Sequence, residues 1–431
     1  MDINAVELTI KAVADRTGVS VHTLRAWEKR YGVPSPARDT DNRYRLYDEH
    51  DIADVLFLKQ QGDAGVAPAQ ASALLRQRQI ASTATLEVGA NQPSYAMRSS
   101  LIDAFAKADE PRARQILDEA FALFTSEQVA LQVIEPAMHE IGERWKRNEM
   151  AIWQEHLASN LVQQKLLAIL QALPALPASA PALVAACAPS EKHQIGLTIF
   201  AWLARRQGWR IVFLGQDTPL DDLANLAPIY KPNATVVSIT TVVGLASLIP
   251  WLDPAKRPAT PIVIGGRMAN TFPELRPHLP GQYLGEDATA AINHLTSIRP
   301  DQNYWSPTML ARDTVERLRA QRLGIADKVA SELFKAFPNL SLKGGTSHLN
   351  KVTLSMVDSL SCALAFDVPD LMDEHSWLAA PPTMPVLIGM HMRIFQLVLG
   401  STFTKEQNRF TAPLIERMHS HLASLSESNA Q

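Results

Sequence analysis

Residues 182–297 limit the fold most: five apolar runs of strand length, ALVAACA, RIVFLG, ATVVSIT, PIVIGG and QYLG, alternate with stretches of helical period. Strand–helix alternation of this kind predicts a parallel, doubly wound sheet with helices on its faces. Ligands of such sheets bind beyond the carboxyl ends of the strands. The first run leads directly into Glu191-Lys192-His193-Gln194-Ile195-Gly196, so a carboxylate, an imidazole and a glycine are expected at that end. An imidazole placed there can ligate a metal through one ring nitrogen. A carboxylate two residues earlier can accept the other N–H, which fixes the tautomer and raises basicity. Gly196 lets a bulky group approach the start of the next helix.

The rest of the chain needs other cores. A chain of 431 residues exceeds what one hydrophobic core holds, and multidomain α and α/β architecture is expected. Composition breaks fall at residues 79–95, at the proline-containing tether ALPALPASAPA (172–182) and near 297–307. They delimit an N-terminal segment 1–78, an all-helical segment 96–171 whose apolar spacing predicts a four-helix bundle, the sheet region 182–298 and a helical tail 312–425. Apolar residues make up 46% and charged residues 20%, as in ordinary soluble proteins. With two distant cysteines, no secretory signal and no membrane-length apolar run, a cytoplasmic, disulfide-free protein is expected.

Net charge is −3, but residues 16–45 carry seven basic groups against three acidic ones, a local +4 that attracts phosphates. In this segment TIKAVADRT, a break at Gly18 and SVHTLRAWEKRYG predict two short helices, the second capped by Ser20. Ala12, Val13, Val19, Leu24 and Trp27 are expected to join them, leaving His22, Thr23, Arg25 and Arg30 on other faces. A helix presented in this way can enter a major groove. VPSPARDTDNRYRLYD (33–48) suits a β-hairpin wing with Arg38, Arg43 and Tyr44 against the backbone of double-stranded operator DNA. The order of these parts over about the first seventy-five residues resembles the MerR-type winged helix-turn-helix. The alternative is a solvated basic surface over an ordinary small core.

The sheet region resembles the cobalamin-binding Rossmann-like domain of corrinoid methyltransferases, mutases and light-responsive regulators. That resemblance makes His193 the lower axial ligand of cobalt and Glu191 its partner. It also assigns Ser238, Thr240, Gly265, Gly266 and Asp217 to the site, the glycine pair making room for the nucleotide tail. In the helical segment, Trp145, nine intervening residues and then Glu155-His156 match the W-x9-E-H pattern of CarH-like regulators. The resemblance implies that Trp145 and Glu155 cover the upper face of adenosylcobalamin. The light-sensing members carry a histidine directly after the tryptophan; here it is Lys146, normally protonated and a poor ligand. His139 and His156 are the other imidazoles of this segment.

The tail contains ALAFDVPDL followed by Trp377 and resembles the globin-like helical tail of bilin-binding photocobilins. That implies a tetrapyrrole pocket for biliverdin or another bilin near His348, His375 and His391, with Cys362 as an attachment point. A dimerisation or capping bundle reads equally well. The expectation for the whole chain is a non-enzymatic transcriptional regulator, a repressor, switched by light through adenosylcobalamin and acting as a homodimer or homotetramer. A light-independent cobalamin sensor and a corrinoid methyl-transfer protein are the alternatives.

Overall fold

A computed structural model describes residues 9–31, 33–34, 37–38, 45–47, 51–52, 54–56, 58–59, 72, 93–298, 305–337, 345–374 and 385–428. They fall into two compact units, residues 1–96 and 97–431.

In the first unit, α1 (Ile10–Thr17) ends where Gly18 takes φ +66, a conformation open to glycine at little cost. Ser20 then caps α2 (Val21–Tyr31), its Oγ accepting from the Thr23 amide at 3.1 Å. Val13, Val19 and Leu24 are buried with Tyr47, Ile52 and Val55, and Trp27 packs at the edge. A two-residue antiparallel ribbon follows, β1 (Ala37–Arg38) against β2 (Arg45–Leu46).

Most of α3 (Pro93–Ala106) and all of α4 (Glu110–Leu123), the latter capped by Asp109, belong to the second unit. A helical turn at Ser126–Gln128 widens to a π-helix over Val129–Ile134 and tightens again into α5 (Glu135–Lys146). Pro136 explains the widening: it has no N–H to donate one turn back, so the register shifts just ahead of it. With α6 (Ile152–Gln171) these segments enclose a core containing Phe105, Leu117, Ile134, Ile141 and Val162. Ile199, Trp202 and Leu203 of the next domain join that core, so the bundle sits directly on the sheet domain.

Five parallel strands make the sheet: β3 (Ala182–Cys187), β4 (Arg210–Gly215), β5 (Ala234–Ser238), β6 (Ile262–Gly265) and β7 (Gln282–Tyr283). Their spatial order is β4-β3-β5-β6-β7, so the winding reverses between β3 and β5. Side chains alternate between the faces. Leu183, Ala185 and Cys187 meet α7 (Ile195–Arg206) and α11 (Ala288–His294) on one side. Val184 and Ala186 belong to a second core on the other, which includes Leu223 of α8 (Leu220–Tyr230), α9 (Val242–Ser247) and Met268 of α10 (Arg267–Thr271).

The tail comprises α12 (Met309–Ala320), α13 (Arg322–Ala336), α14 (Gly345–Phe366), α15 (Pro385–Thr402) and α16 (Lys405–Ser428). Among the described residues it has no core separate from the sheet domain. Leu318, Leu360, Phe366 and Phe395 share one continuous buried cluster with Val237, Val242, Leu245 and Ile264 of the sheet domain. The composition break near 297–307 therefore joins two parts of one body. Among the described residues no helix is long and apolar enough to cross a membrane.

Candidate functional site

The reversal between β3 and β5 opens a crevice at the carboxyl edge of the sheet, where ligands of doubly wound folds bind. The loop after β3 runs across it. Glu191 is completely buried there and engages both carboxylate oxygens. Its Oε1 lies 2.5 Å from His193 Nδ1 and 3.1 Å from the His193 amide. Its Oε2 accepts from the Thr240 amide at 2.8 Å, the Thr241 amide at 2.8 Å and Thr241 Oγ1 at 2.9 Å. Burial raises the carboxyl, but His193 and the amide donors outweigh it and bring Glu191 down to about 2. The hydrogen bond to Glu191 pushes the His193 imidazole up.

A carboxylate can only accept, so the proton of a neutral His193 sits on Nδ1 and the lone pair on Nε2. The ring is 60% exposed and faces a cavity of about 1120 Å³ between the sheet edge and the bundle. That exceeds the range of roughly 300–1,000 Å³ typical of small-molecule pockets. Ser238, Thr240, Gly265, Gly266 and Gly196 line the sheet side. A Cβ on Gly196 would meet nothing within 4 Å, and one on Gly265 only Leu284 at 3.9 Å. Gly266 is obligatory: its φ is +109, and a Cβ would stand 2.4 Å from the Ile239 carbonyl oxygen.

The opposite wall comes from α5 and α6. Trp145, Glu155 and His156 all line it, with His156 Nδ1 3.3 Å from Glu155 Oε2. The nine-residue interval spans the turn between these helices and brings both positions to one wall. Lys146 also faces the cavity, its Nζ held 2.6 Å from Glu143 Oε1. His139 lines the same wall.

One expected residue lies elsewhere. Asp217 is not at the cavity wall; its Oδ1 accepts from the Ser190 amide at 2.7 Å and its own amide donates to Glu191 O at 3.0 Å. It braces the ligand loop from behind. Sequence reasoning missed Thr241, which donates to Glu191 as it caps α9. Its signal was a threonine at the start of a helix just past a strand end. Arg267 of α10 and Ser355 of the tail also line the cavity and carried no sequence signal.

These residues fit a corrinoid. Among the described residues no group of three or more His, Cys, Asp or Glu forms a metal cluster, so a metal held by His193 must bring most of its own ligands, as a corrin does. Gln163 at the cavity wall keeps a buried Oε1 with no hydrogen-bond partner among the described residues, an acceptor for a ligand N–H such as a corrin amide.

Of the residues expected to line a tetrapyrrole pocket in the tail, His391 and Cys362 are described. His391 is buried with Nε2 2.7 Å from Thr353 Oγ1. Cys362 is fully buried, its thiol 3.6 Å from the Val242 carbonyl oxygen and pushed well up by burial. A buried thiol of this kind is less reactive than an exposed one. His375 and the side chain of His348 lie outside the described residues.

On α2, His22, Arg25 and Arg30 are exposed, and Thr23 is half-buried with its hydroxyl 2.8 Å from Ser20 Oγ. Arg38 lies in β1, but its side chain, like Arg43 and Tyr44, falls outside the described residues.

Comparison with known proteins follows this layout. The MerR HTH family regulatory protein model matches residues 8–78, and B12 binding domain models match 97–170 and 181–293. The HTH-type transcriptional repressor CarH of Myxococcus xanthus is 33% identical over 272 residues, 61% of this chain and 89% of that protein. CarA of the same organism is 28% identical over 300 residues, covering 69% and 99%. Among solved structures, the monomethylamine corrinoid protein of Methanosarcina barkeri aligns at TM-score 0.38 and 18% identity, covering 46% of this chain and 96% of that one. The chain belongs to the family of the HTH-type repressors CarH and CarA, with a MerR-type head followed by two B12-binding domains.

Proposed function

We propose that the chain is a transcriptional repressor that reads operator DNA with α2 and its wing and is controlled by adenosylcobalamin and light. The observation that carries the cofactor part is the Glu191–His193 pair, fixed by Thr240 and Thr241 and turned toward a cavity whose far wall holds Trp145 and Glu155. When bound, the cofactor supplies a cobalt–carbon bond that visible light breaks. The chain's own residues do the rest. His193 offers Nε2 from below, and Glu191 holds the ring's tautomer and direction. Trp145 excludes water from the upper side, and Glu155 accepts hydroxyl protons there. Because the cavity lies between α5, α6 and the sheet edge, a change in what fills it would leave the bundle free to reseat.

In this proposal the dark form is a homo-oligomer, a dimer or tetramer. Joining several DNA-reading heads raises operator affinity through effective concentration, and loss of the oligomer releases DNA. The test is holoprotein purified in darkness and sized before and after green light, with operator binding measured on both samples. Identical mass and identical affinity contradict the light switch.

One observation favours a second reading. Lys146 occupies the position after Trp145 and is tied to Glu143, so it offers no free base to an upper face. A light-independent cobalamin sensor fits that feature, and operator binding that depends on added cobalamin equally in darkness and light would establish it. A bilin in the tail would appear as an additional absorption band beyond the corrin region after reconstitution with biliverdin.

A further inference from the structure

The tail helices pack against the site from behind, and their contacts end on the groups that hold Glu191. The link is α9, only six residues long. At its start, Thr241 gives Glu191 two hydrogen bonds, from its amide and its hydroxyl. One turn on, a Cβ at Gly244 would stand 2.9 Å from Glu191 Oε2, so helix and carboxylate are in contact without slack. At its other end, Arg319 of the tail donates through Nη1 to the Ala246 carbonyl oxygen at 2.7 Å. That carbonyl lies in the last turn of α9, where the Leu248 amide also reaches it, so Arg319 adds a side-chain donor to the helix end. Leu360 and Phe366 pack in one cluster with Val242 and Leu245, fixing the side of α9.

A second contact is independent of α9. Arg267 follows the wedged Gly266, lines the cavity and reaches Glu374 of the tail, Nη2 to Oε1 3.1 Å. Glu374 is buried. Ser355 of α14 itself lines the cavity. The tail thus touches the site at the brace of the lower ligand and at the loop carrying the glycine pair.

We propose that the C-terminal helices position the cobalt ligand: through Arg319 and α9 they hold Thr241 against Glu191, and through Glu374 they hold Arg267 beside the glycine pair. The proposal rests on His193 as the lower ligand and extends it to residues outside the matched B12-binding segments, which end at residue 293. Because packed interiors shift as units, a displaced α9 lengthens short hydrogen bonds at Glu191 and loosens the aim of the imidazole. Linkage makes the effect reciprocal, so any partner that moves the tail changes cofactor affinity by the factor with which the cofactor changes the tail.

The test uses full-length protein with Arg319→Ala, Arg319→Lys and the isosteric Glu374→Gln, titrated with cobalamin in darkness. Two quantities are read: affinity, from absorbance, and the histidine-ligated fraction, from the share of nitrogen-15 doublets in the electron paramagnetic resonance spectrum of the reduced cob(II)alamin complex of protein labelled with nitrogen-15 in histidine. Arg319→Ala and Glu374→Gln are expected to lower affinity about 3- to 10-fold, the scale of coupling through packed contacts, and to lower the ligated fraction. Arg319→Lys, which keeps a cationic donor, is expected to recover most of both. Unchanged ligated fractions in Arg319→Ala and Glu374→Gln overturn the proposal, even where affinity falls, because a merely structural wall would weaken binding without freeing the ligand. Should Arg319→Ala fail to fold, Glu374→Gln decides alone. If the unsubstituted protein shows no histidine ligation, what fails is the cofactor assignment itself.

Discussion

Glu191 has no exposed surface, yet it keeps its charge at neutral pH because three protein donors converge on Oε2 and an imidazole covers Oε1. Thr241→Val keeps the side-chain shape and removes one donor to a buried anion. It is expected to destabilise the protein by about 1.5–3 kcal/mol, measured by urea unfolding. The sign of the pH dependence follows from the shifts. Glu191 lies lower in the folded chain, at about 2, so its stabilisation is complete above the ordinary carboxyl value of 4.5 and is lost as pH falls toward 2. His193 lies higher, so in the free protein its contribution is present below 6.5 and lost as pH rises through its folded value. A proton and cobalt compete for Nε2, so cobalamin affinity is expected to rise with pH through that same window. Glu191→Gln removes the raised value of His193, and its affinity profile is expected to shift to lower pH in a binding titration from pH 5 to 8.

At the scale of elements, the strand–helix alternation, the break at Gly18 and the helical periods of the bundle were all legible in the sequence. They depend on local spacing and on a few special backbone positions. The Glu191–His193 pair was legible for the same reason, being two residues apart at a strand end. Thr241, Arg267 and Ser355 were not, because their place at the site comes from strands, a helix and a tail that meet only in the folded chain. Asp217 was expected at the site because its loop reaches the crevice; its side chain turns back to Ser190 and braces that loop. The N-terminal head lends itself to an element-level test. Arg25 and Arg30 are exposed on α2, and each replaced by alanine is expected to weaken operator binding and reduce the salt slope by about 1 where it neutralises a phosphate. An arginine that reads a guanine instead is expected to relax sequence preference at one position, measured by binding to operator variants.

At the scale of the whole molecule, the tail was expected to be a module of its own, and its apolar periods did not reveal what they would pack against. The structure gives it the same buried cluster as the sheet. The bundle likewise closes over one sheet-side helix through Trp202. Among the described residues, bundle, sheet loops and Ser355 of the tail wall one and the same cavity, so whatever fills it is in position to bias all three. Replacing Trp145 with alanine opens the bundle wall of that cavity. In this account the change leaves His193 ligation intact and abolishes the difference in oligomer size between darkness and light, checked by sizing chromatography.

The central claim is that His193 donates to cobalt, and one spectrum tests it. The full-length protein is produced with nitrogen-15 only in histidine, loaded with cobalamin of natural isotope content, reduced to the cob(II)alamin form and measured by electron paramagnetic resonance. Ligation by His193 gives nitrogen-15 doublets in place of the nitrogen-14 triplets, and a His193→Ala sample loses the doublets. Triplets that persist in the labelled protein, from the cofactor's own base, or doublets that survive His193→Ala, contradict it.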